Sequence, residues 1–384
     1  MTIAANWALD PSVIYLNHGS FGACPSAVLE MQAALRLEME REPFDFLSGS
    51  IKRRLDAARE VLAAFVGADA RDLAFVPNAT AGVNAVLRSL EFDRGDEILV
   101  TTHTYNACRR TVDYVADRSG ARVVSAALPF PCPGEDSIVA AVLEAASPRT
   151  RLALIDHVTS PTALIMPVRR LVDELARRGI DSLVDGAHAL GMVPLDLTEI
   201  GAAYYTGNAH KWLCAPKGAA FLHVRRDRQA PLHPITISHG YGAGFQPEFD
   251  WTGTADPTPY LCIPGAIQFI GGLLPGGWSA VMAANHALAL EARNLVLAAL
   301  GQETPCPDLM VGSMASVPLP APLRGSPAER MDVQALHDWL RERGVEAWLH
   351  PHPLPLLRIS AQLYNTLDQY RQLLRLLEQA LHAP

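Results

Sequence analysis

Lys211 stands in the stretch YYTGNAHKWLCAPKGAAFL, residues 204–222, among small and apolar neighbours. Lysines ordinarily occupy solvated faces. An apolar setting lowers the pKa of the amine and makes it a nucleophile. Two readings of Lys211 stand open on these grounds: a snorkelling surface residue, or a lysine that forms a Schiff base. Lys217, followed by Gly218, reads as a turn or surface residue. Upstream, Asp185 closes an apolar run in LVDGAHALG. A carboxylate there is costly unless a cation faces it. Either an arginine elsewhere in the chain or a protonated pyridine nitrogen supplies that cation. A strand-end carboxylate followed by a strand-end lysine is what pyridoxal phosphate needs. The lysine forms the imine, and the aspartate keeps the pyridine protonated so that the ring accepts electrons from a substrate α-carbon.

Other polar residues follow other apolar runs. FVPNATAGVN puts Asn78, Ala79 and Thr80 ahead of a helix. Backbone N–H groups and the Thr80 hydroxyl make an anion seat there, or an ordinary N-cap. VTTHTYNACRR supplies His103 and Tyr105; an aromatic ring at this point can stack on a flat cofactor, and both residues also suit a core. LIDHVTSPTALIMPV supplies Asp156, His157, Thr159 and Ser160. The first two equally read as strand residues with structural partners, the last two as short donors able to reach a phenolic oxygen. His188 can donate to the cofactor or contact substrate. Asn208 and His210 flank Lys211 and can reach the phosphate.

Seven apolar runs must position these residues: DLAFV (72–76), EILVTT (97–102), RVVSAAL (122–128), RLALIDHV (151–158), DSLVDGA (181–187), AAYYTG (202–207) and GAAFLHV (218–224). Runs this apolar suit strands covered on both faces. Between them lie helical patterns such as TAGVNAVLRSL and VRRLVDELARRG, and two helical patterns, SAVLEMQAALRLEMER and IKRRLDAAREVLAAFVG, come first. Alternation of this kind predicts an α/β fold with a largely parallel sheet between helices. Ligands of such sheets bind at the carboxyl ends of the strands, where the candidates sit. The last third carries a long helical pattern, a Pro-rich connection (ETPCPDLMVGSMASVPLPAPLRGSP) and a short α+β unit with LLRISAQLYNT and a final helix. We place a large domain at residues 1–274 and a smaller C-terminal one at 275–384.

The 384 residues are 49% apolar and 19% charged, enough for a sizeable core. A net charge of -8 with scattered Lys and Arg gives no footprint for nucleic acid. The six cysteines form no C-x-x-C pair, which leaves zinc and dithiol redox chemistry without support and suits free thiols in a reducing cytoplasm. The N-terminal residues show no secretory pattern. Prolines and paired glycines break the uncharged run 257–290, so no membrane span is expected.

YLNHGSFGACP, NAT, TYNA, DHVTSPTALIMPV, VDGAHALG and TGNAHKWLCAPKG occur in an order that resembles the class V aminotransferase-fold pyridoxal phosphate enzymes, and within them the isopenicillin N epimerase-like branch. The resemblance runs over roughly residues 13–360. It implies a fold-type I architecture with a seven-stranded, mostly parallel sheet, pyridoxal 5'-phosphate, and a homodimer with shared active sites. By motif it makes Lys211 the Schiff-base lysine and Asp185 the pyridine-nitrogen partner. His188 falls near the phenolic oxygen, with Thr159 or Ser160. Asn78, Ala79, Thr80, Asn208 and His210 fall around the phosphate. Relatives stack a histidine where this chain has Tyr105; His103 is the alternative. Thr254 in WTGTADPTPYL matches a residue that completes the partner's phosphate site. Arg358 in LLRIS matches the arginine that grips the substrate α-carboxylate, and Asn17 and His18 fall at the substrate entrance. The group includes epimerases, C–S lyases, desulfurases and transaminases. A desulfurase needs a cysteine shortly before that arginine, and residues 325–357 contain none. The implied activity is an epimerase-like reaction at an amino acid α-carbon, reprotonated by Tyr105 or His18. The alternatives are β-elimination from a cysteine conjugate and transamination.

Overall fold

The computed structural model describes residues 2–320, 332–351 and 355–382. Its strands, in chain order, are β1 (Ile14–Tyr15), β2 (Leu73–Val76), β3 (Glu97–Thr101), β4 (Arg122–Ala126), β5 (Thr150–Asp156), β6 (Asp181–Asp185), β7 (Tyr204–Asn208), β8 (Ala220–Val224), β9 (Met314–Pro318), β10 (Val345–Glu346), β11 (Trp348–His350) and β12 (Leu356–Ser360). Strands β2–β8 are the seven apolar runs, and they form one sheet in the order β2-β8-β7-β6-β5-β3-β4. All its pairings are parallel except those of β8, which runs antiparallel to β2 and β7. Every residue of β2, β3, β7 and β8 is buried. Helices explain this by covering both faces: Ile51–Val66 packs Leu55, Ala58, Leu62 and Val66 inward, a helical stripe. The helix Ala79–Ser89 buries Val83, Val86 and Leu87.

A second sheet, ordered β11-β12-β9, is antiparallel throughout. Its β9 lies inside the stretch that the sequence presents as a Pro-rich connection. Pro318 ends an edge strand, where the missing N–H costs least, so the proline masks a strand without preventing it. The 23-residue helix Gly277–Ala299 packs on β9. Short β1 pairs in parallel with β10, which ties the N-terminal segment to the C-terminal unit. No helix among the described residues is long and apolar enough to cross a membrane.

Candidate active site

Asp156, Asp185 and Asn208 end β5, β6 and β7, neighbouring parallel strands. In register, Asp156 faces Asp185. The sheet thus delivers two buried carboxyls side by side, 3% and 4% exposed. Asp185 accepts the Ala187 N–H at 3.0 Å and the Cys108 thiol at 3.1 Å. Asp156 accepts the Tyr105 N–H at 3.3 Å, and its second oxygen is buried without a partner. Burial pushes the Asp185 carboxyl up. Burial, then the neighbouring Asp185, pushes the Asp156 carboxyl up much further. Neither carboxyl has an ion-pair partner among the described residues, so the pair lacks the cation that a protonated pyridine supplies.

Lys211 sits in the turn after β7, and its Nζ lies 3.1 Å from His188 Nε2. The Trp212 indole donates to His188 Nδ1 at 3.4 Å. An indole can only donate, so the neutral imidazole carries its proton on Nε2 and offers it to the lysine nitrogen. Burial, then Lys211, holds the His188 pKa well below its usual value, which keeps the ring neutral. Burial, reinforced by Arg358, lowers Lys211 to about 7. Behind the lysine, His18 is fully buried. Its Nε2 donates to the Lys211 carbonyl at 3.0 Å, and its Nδ1 accepts from Tyr364 Oη at 2.8 Å. Both nitrogens are thus engaged, and burial lowers its pKa to about 3. Gly22, at φ 70°, lies so close that a Cβ there would sit 2.2 Å from the His210 carbonyl oxygen and 2.9 Å from Lys211 Cα.

At the phosphate end, Asn78 caps the helix Ala79–Ser89 by accepting from Ala81 N–H at 2.8 Å. Asn208 Oδ1 accepts from Ala79 N–H at 2.8 Å. The Thr80 N–H lies between these two at the positive end of the helix dipole, without a partner among the described residues. His210 donates from Nδ1 to the Ala219 carbonyl at 2.9 Å, which leaves Nε2 for a ligand.

Arg358 lies in the middle of β12, directly opposite Trp348 of β11. That cross-strand pairing puts the guanidinium 4.3 Å from the Trp348 ring centroid. The guanidinium donates to the Ser160 carbonyl (2.8 Å), Ser160 Oγ (3.1 Å), Ser20 Oγ (3.0 Å) and Asn17 Oδ1 (3.4 Å). It is 1% exposed, its Nε has no partner, and no carboxylate pairs with it among the described residues. A buried, fork-shaped cation without an anion fits a ligand carboxylate.

Of the remaining candidates, Tyr105 stays within electrostatic reach of Asp185 and Arg358, and the others are dispersed. Tyr105 caps the helix Asn106–Ser119 with its side chain 42% exposed. Thr159 turns inward, its hydroxyl 2.7 Å from Thr162, while His103 Nδ1 meets Thr162 at 3.0 Å. Thr254 lies in an exposed turn and makes no side-chain hydrogen bond among the described residues. His157 bonds Tyr205 Oη at 2.8 Å in the core. The sequence reading singled out neither Cys108, Ser20 nor Trp348. Cys108 lies one helical turn after Tyr105, a periodic signal; the other two carry no local signal.

The buried carboxyl pair, the open helix N-terminus and the lysine between them fit pyridoxal phosphate. Asp185 would face its pyridine nitrogen, His188 its phenolic oxygen and Thr80 its phosphate. The sequence model of the family described as Aminotransferase class-V matches residues 38–254. A probable chloroplastic L-cysteine desulfhydrase of Arabidopsis thaliana is 34% identical, over 95% of this chain and 82% of its own length. Isopenicillin N epimerase of Streptomyces clavuligerus is 36% identical, over 95% and 94%. A solved complex of the cystine C–S lyase C-DES with its product cysteine persulfide has the same fold. Its TM-score is 0.81 at 21% identity, covering 95% of this chain and 97% of that one. With a family match over more than half its length and relatives above 30% identity along nearly all of it, the chain belongs to the class-V aminotransferase family.

Proposed function

We propose that this protein is a pyridoxal phosphate-dependent enzyme that removes and returns the α-proton of an amino acid, with epimerisation as the outcome. One arrangement carries the reading: a buried lysine amine 3.1 Å from His188 lies within electrostatic reach of both the Asp185 carboxyl and the Arg358 guanidinium. When bound, the cofactor supplies an electron sink for the α-carbon. Arg358 binds the α-carboxylate and fixes where the α-carbon stands. Lys211, half-deprotonated near neutral pH, takes the proton. His188, neutral and fixed at Nδ1 by Trp212, turns its Nε2–H toward the cofactor's phenolic oxygen beside the lysine. Asp185 supplies the negative charge that stabilises a proton on the pyridine nitrogen. His18, with both nitrogens occupied, supports the lysine turn from behind. Tyr105, a half-exposed residue, is left to deliver a proton from the other side.

A second reading has its own support, since a relative at 34% identity is named a probable L-cysteine desulfhydrase. In it the same proton is taken, and Tyr105 protonates a departing sulfur. Transamination is the third outcome. Incubation of the holoenzyme with an amino acid panel in deuterated water separates them. Deuterium at a scrambled α-carbon marks epimerisation. Pyruvate and ammonia from a cysteine conjugate mark elimination, and a keto acid marks amino transfer. No exchange with any amino acid sinks all three. Wild-type protein saturated with pyridoxal phosphate should show a visible imine band; its absence sinks the cofactor assignment.

The exposed turn carrying Thr254 supports a homodimer in which each chain completes the other's phosphate end. Sedimentation as a monomer at micromolar concentration overturns this. Six free thiols, five of them buried, suit a reducing cytoplasm.

A further inference from the structure

A cavity of about 310 Å³ lies against Tyr105, walled by His103, Phe130, Ser160, Thr162 and Trp348. Two of these residues also hold Arg358. Ser160 accepts from its guanidinium, and the Trp348 ring lies under it. A carboxylate seated on Arg358 therefore brings its α-carbon to the edge of this cavity. The size belongs with the roughly 300–1,000 Å³ of sites that enclose whole small molecules, far more than a thiol or a methyl group needs.

The wall chemistry is equally specific. No Asp, Glu, Lys or Arg lines the cavity among the described residues. Phe130, Trp348 and Tyr105 contribute rings. His103 stands edge-on to Phe130, with centroids 6.1 Å apart at 75°. Its Nδ1 is fixed by Thr162, which Thr159 fixes in turn. Burial lowers His103 to about 4, so it is a neutral wall. His350 is the other histidine in the described lining, so a charged substituent entering here would lose its water and meet no permanent counter-charge in that lining. A flat apolar one would gain area burial and ring contacts.

We infer that this cavity receives the substrate side chain, and that it selects a bulky, uncharged, aromatic substituent over the bare thiol of cysteine. The inference rests on the α-proton reading above and narrows it to amino acids with large neutral side chains, S-aralkyl cysteines among them. Phe130 and Trp348 are the specificity-determining residues.

The test is spectral titration of the holoenzyme with S-methyl-, S-benzyl- and S-carboxymethyl-L-cysteine, following the visible cofactor band. S-Benzyl-L-cysteine should bind at least about 10-fold tighter than S-methyl-L-cysteine. S-Carboxymethyl-L-cysteine should bind no tighter than S-methyl-L-cysteine. Phe130→Ala, which leaves the Arg358 contacts in place, should erase most of the S-benzyl advantage by weakening S-benzyl binding far more than S-methyl binding. Trp348→Ala should weaken all three ligands and also shrink the ratio. Equal binding of the S-methyl and S-benzyl compounds overturns this inference alone, as does a preference for the carboxymethyl compound or a ratio untouched by Phe130→Ala. A holoenzyme whose spectrum answers to no amino acid overturns the α-proton reading, and this inference with it.

Discussion

Lys211 and Arg358 are both cations in one largely buried site, and the protein treats them in opposite ways. Lys211 receives a neutral imidazole and no carboxylate contact, and burial brings it down to about 7. Arg358 receives four oxygen acceptors and an aromatic face, and the same kind of burial lowers it only to about 10. One cation is arranged to lose its proton and the other to keep it. The difference follows from donor chemistry. A guanidinium spreads its charge over a planar fork that side-chain oxygens can satisfy. An ammonium stripped of water and anions has only deprotonation left.

The comparison breaks first at the lysine. Lys211→Ala should abolish the visible imine band and cut α-proton exchange by about 1,000-fold or more, followed by absorbance and deuterium incorporation. The carboxyl pair comes next. Asp185→Asn should weaken pyridoxal phosphate binding by about 100-fold, whereas Asp156→Asn, at the carboxyl that burial and Asp185 push up, should change it by no more than about 3-fold. Equal losses in the two would show that both carboxyls carry charge. Arg358→Ala should keep the imine band and raise KM by about 30-fold or more, with Arg358→Lys recovering little.

The pH dependence sharpens the contrast. In the free lysine amine, burial and then Arg358 favour release of the proton. In the apoprotein, the folded lysine pKa lies below its ordinary value of 10.5, so the unfolded chain binds more protons between about 7 and 10.5. Lys211 should therefore make the fold more stable as pH climbs through that window. Apoprotein melting temperatures should show the rise, and Lys211→Met should flatten it. The smallest effect belongs to Cys108→Ala. It removes one weak thiol donor from Asp185 and should cost about 5-fold at most in cofactor affinity.

The large sheet was legible because strands buried on both faces must be continuous apolar runs, and the seven runs are β2–β8. Asp185 and Lys211 stood out for the same reason: each interrupts an apolar stretch at the end where a parallel sheet binds ligands. The far wall was opaque. Trp348 matters because it pairs in register with Arg358, and Ser20 because it reaches that arginine from the other end of the chain. Neither relation has a local period. The strand Met314–Pro318 was hidden by Pro318 and the prolines that flank it in the sequence, and the burial of His18 by partners at Lys211 and Tyr364 that no spacing announces.

The N-terminal segment touches both cations within a few residues. Tyr15 is paired with β10, Asn17 and Ser20 grip Arg358, His18 holds the Lys211 carbonyl, and Gly22 abuts the lysine backbone. It acts as a mechanical strut between the two sheets. One continuous stretch of chain thereby ties the Arg358 guanidinium to the Lys211 backbone.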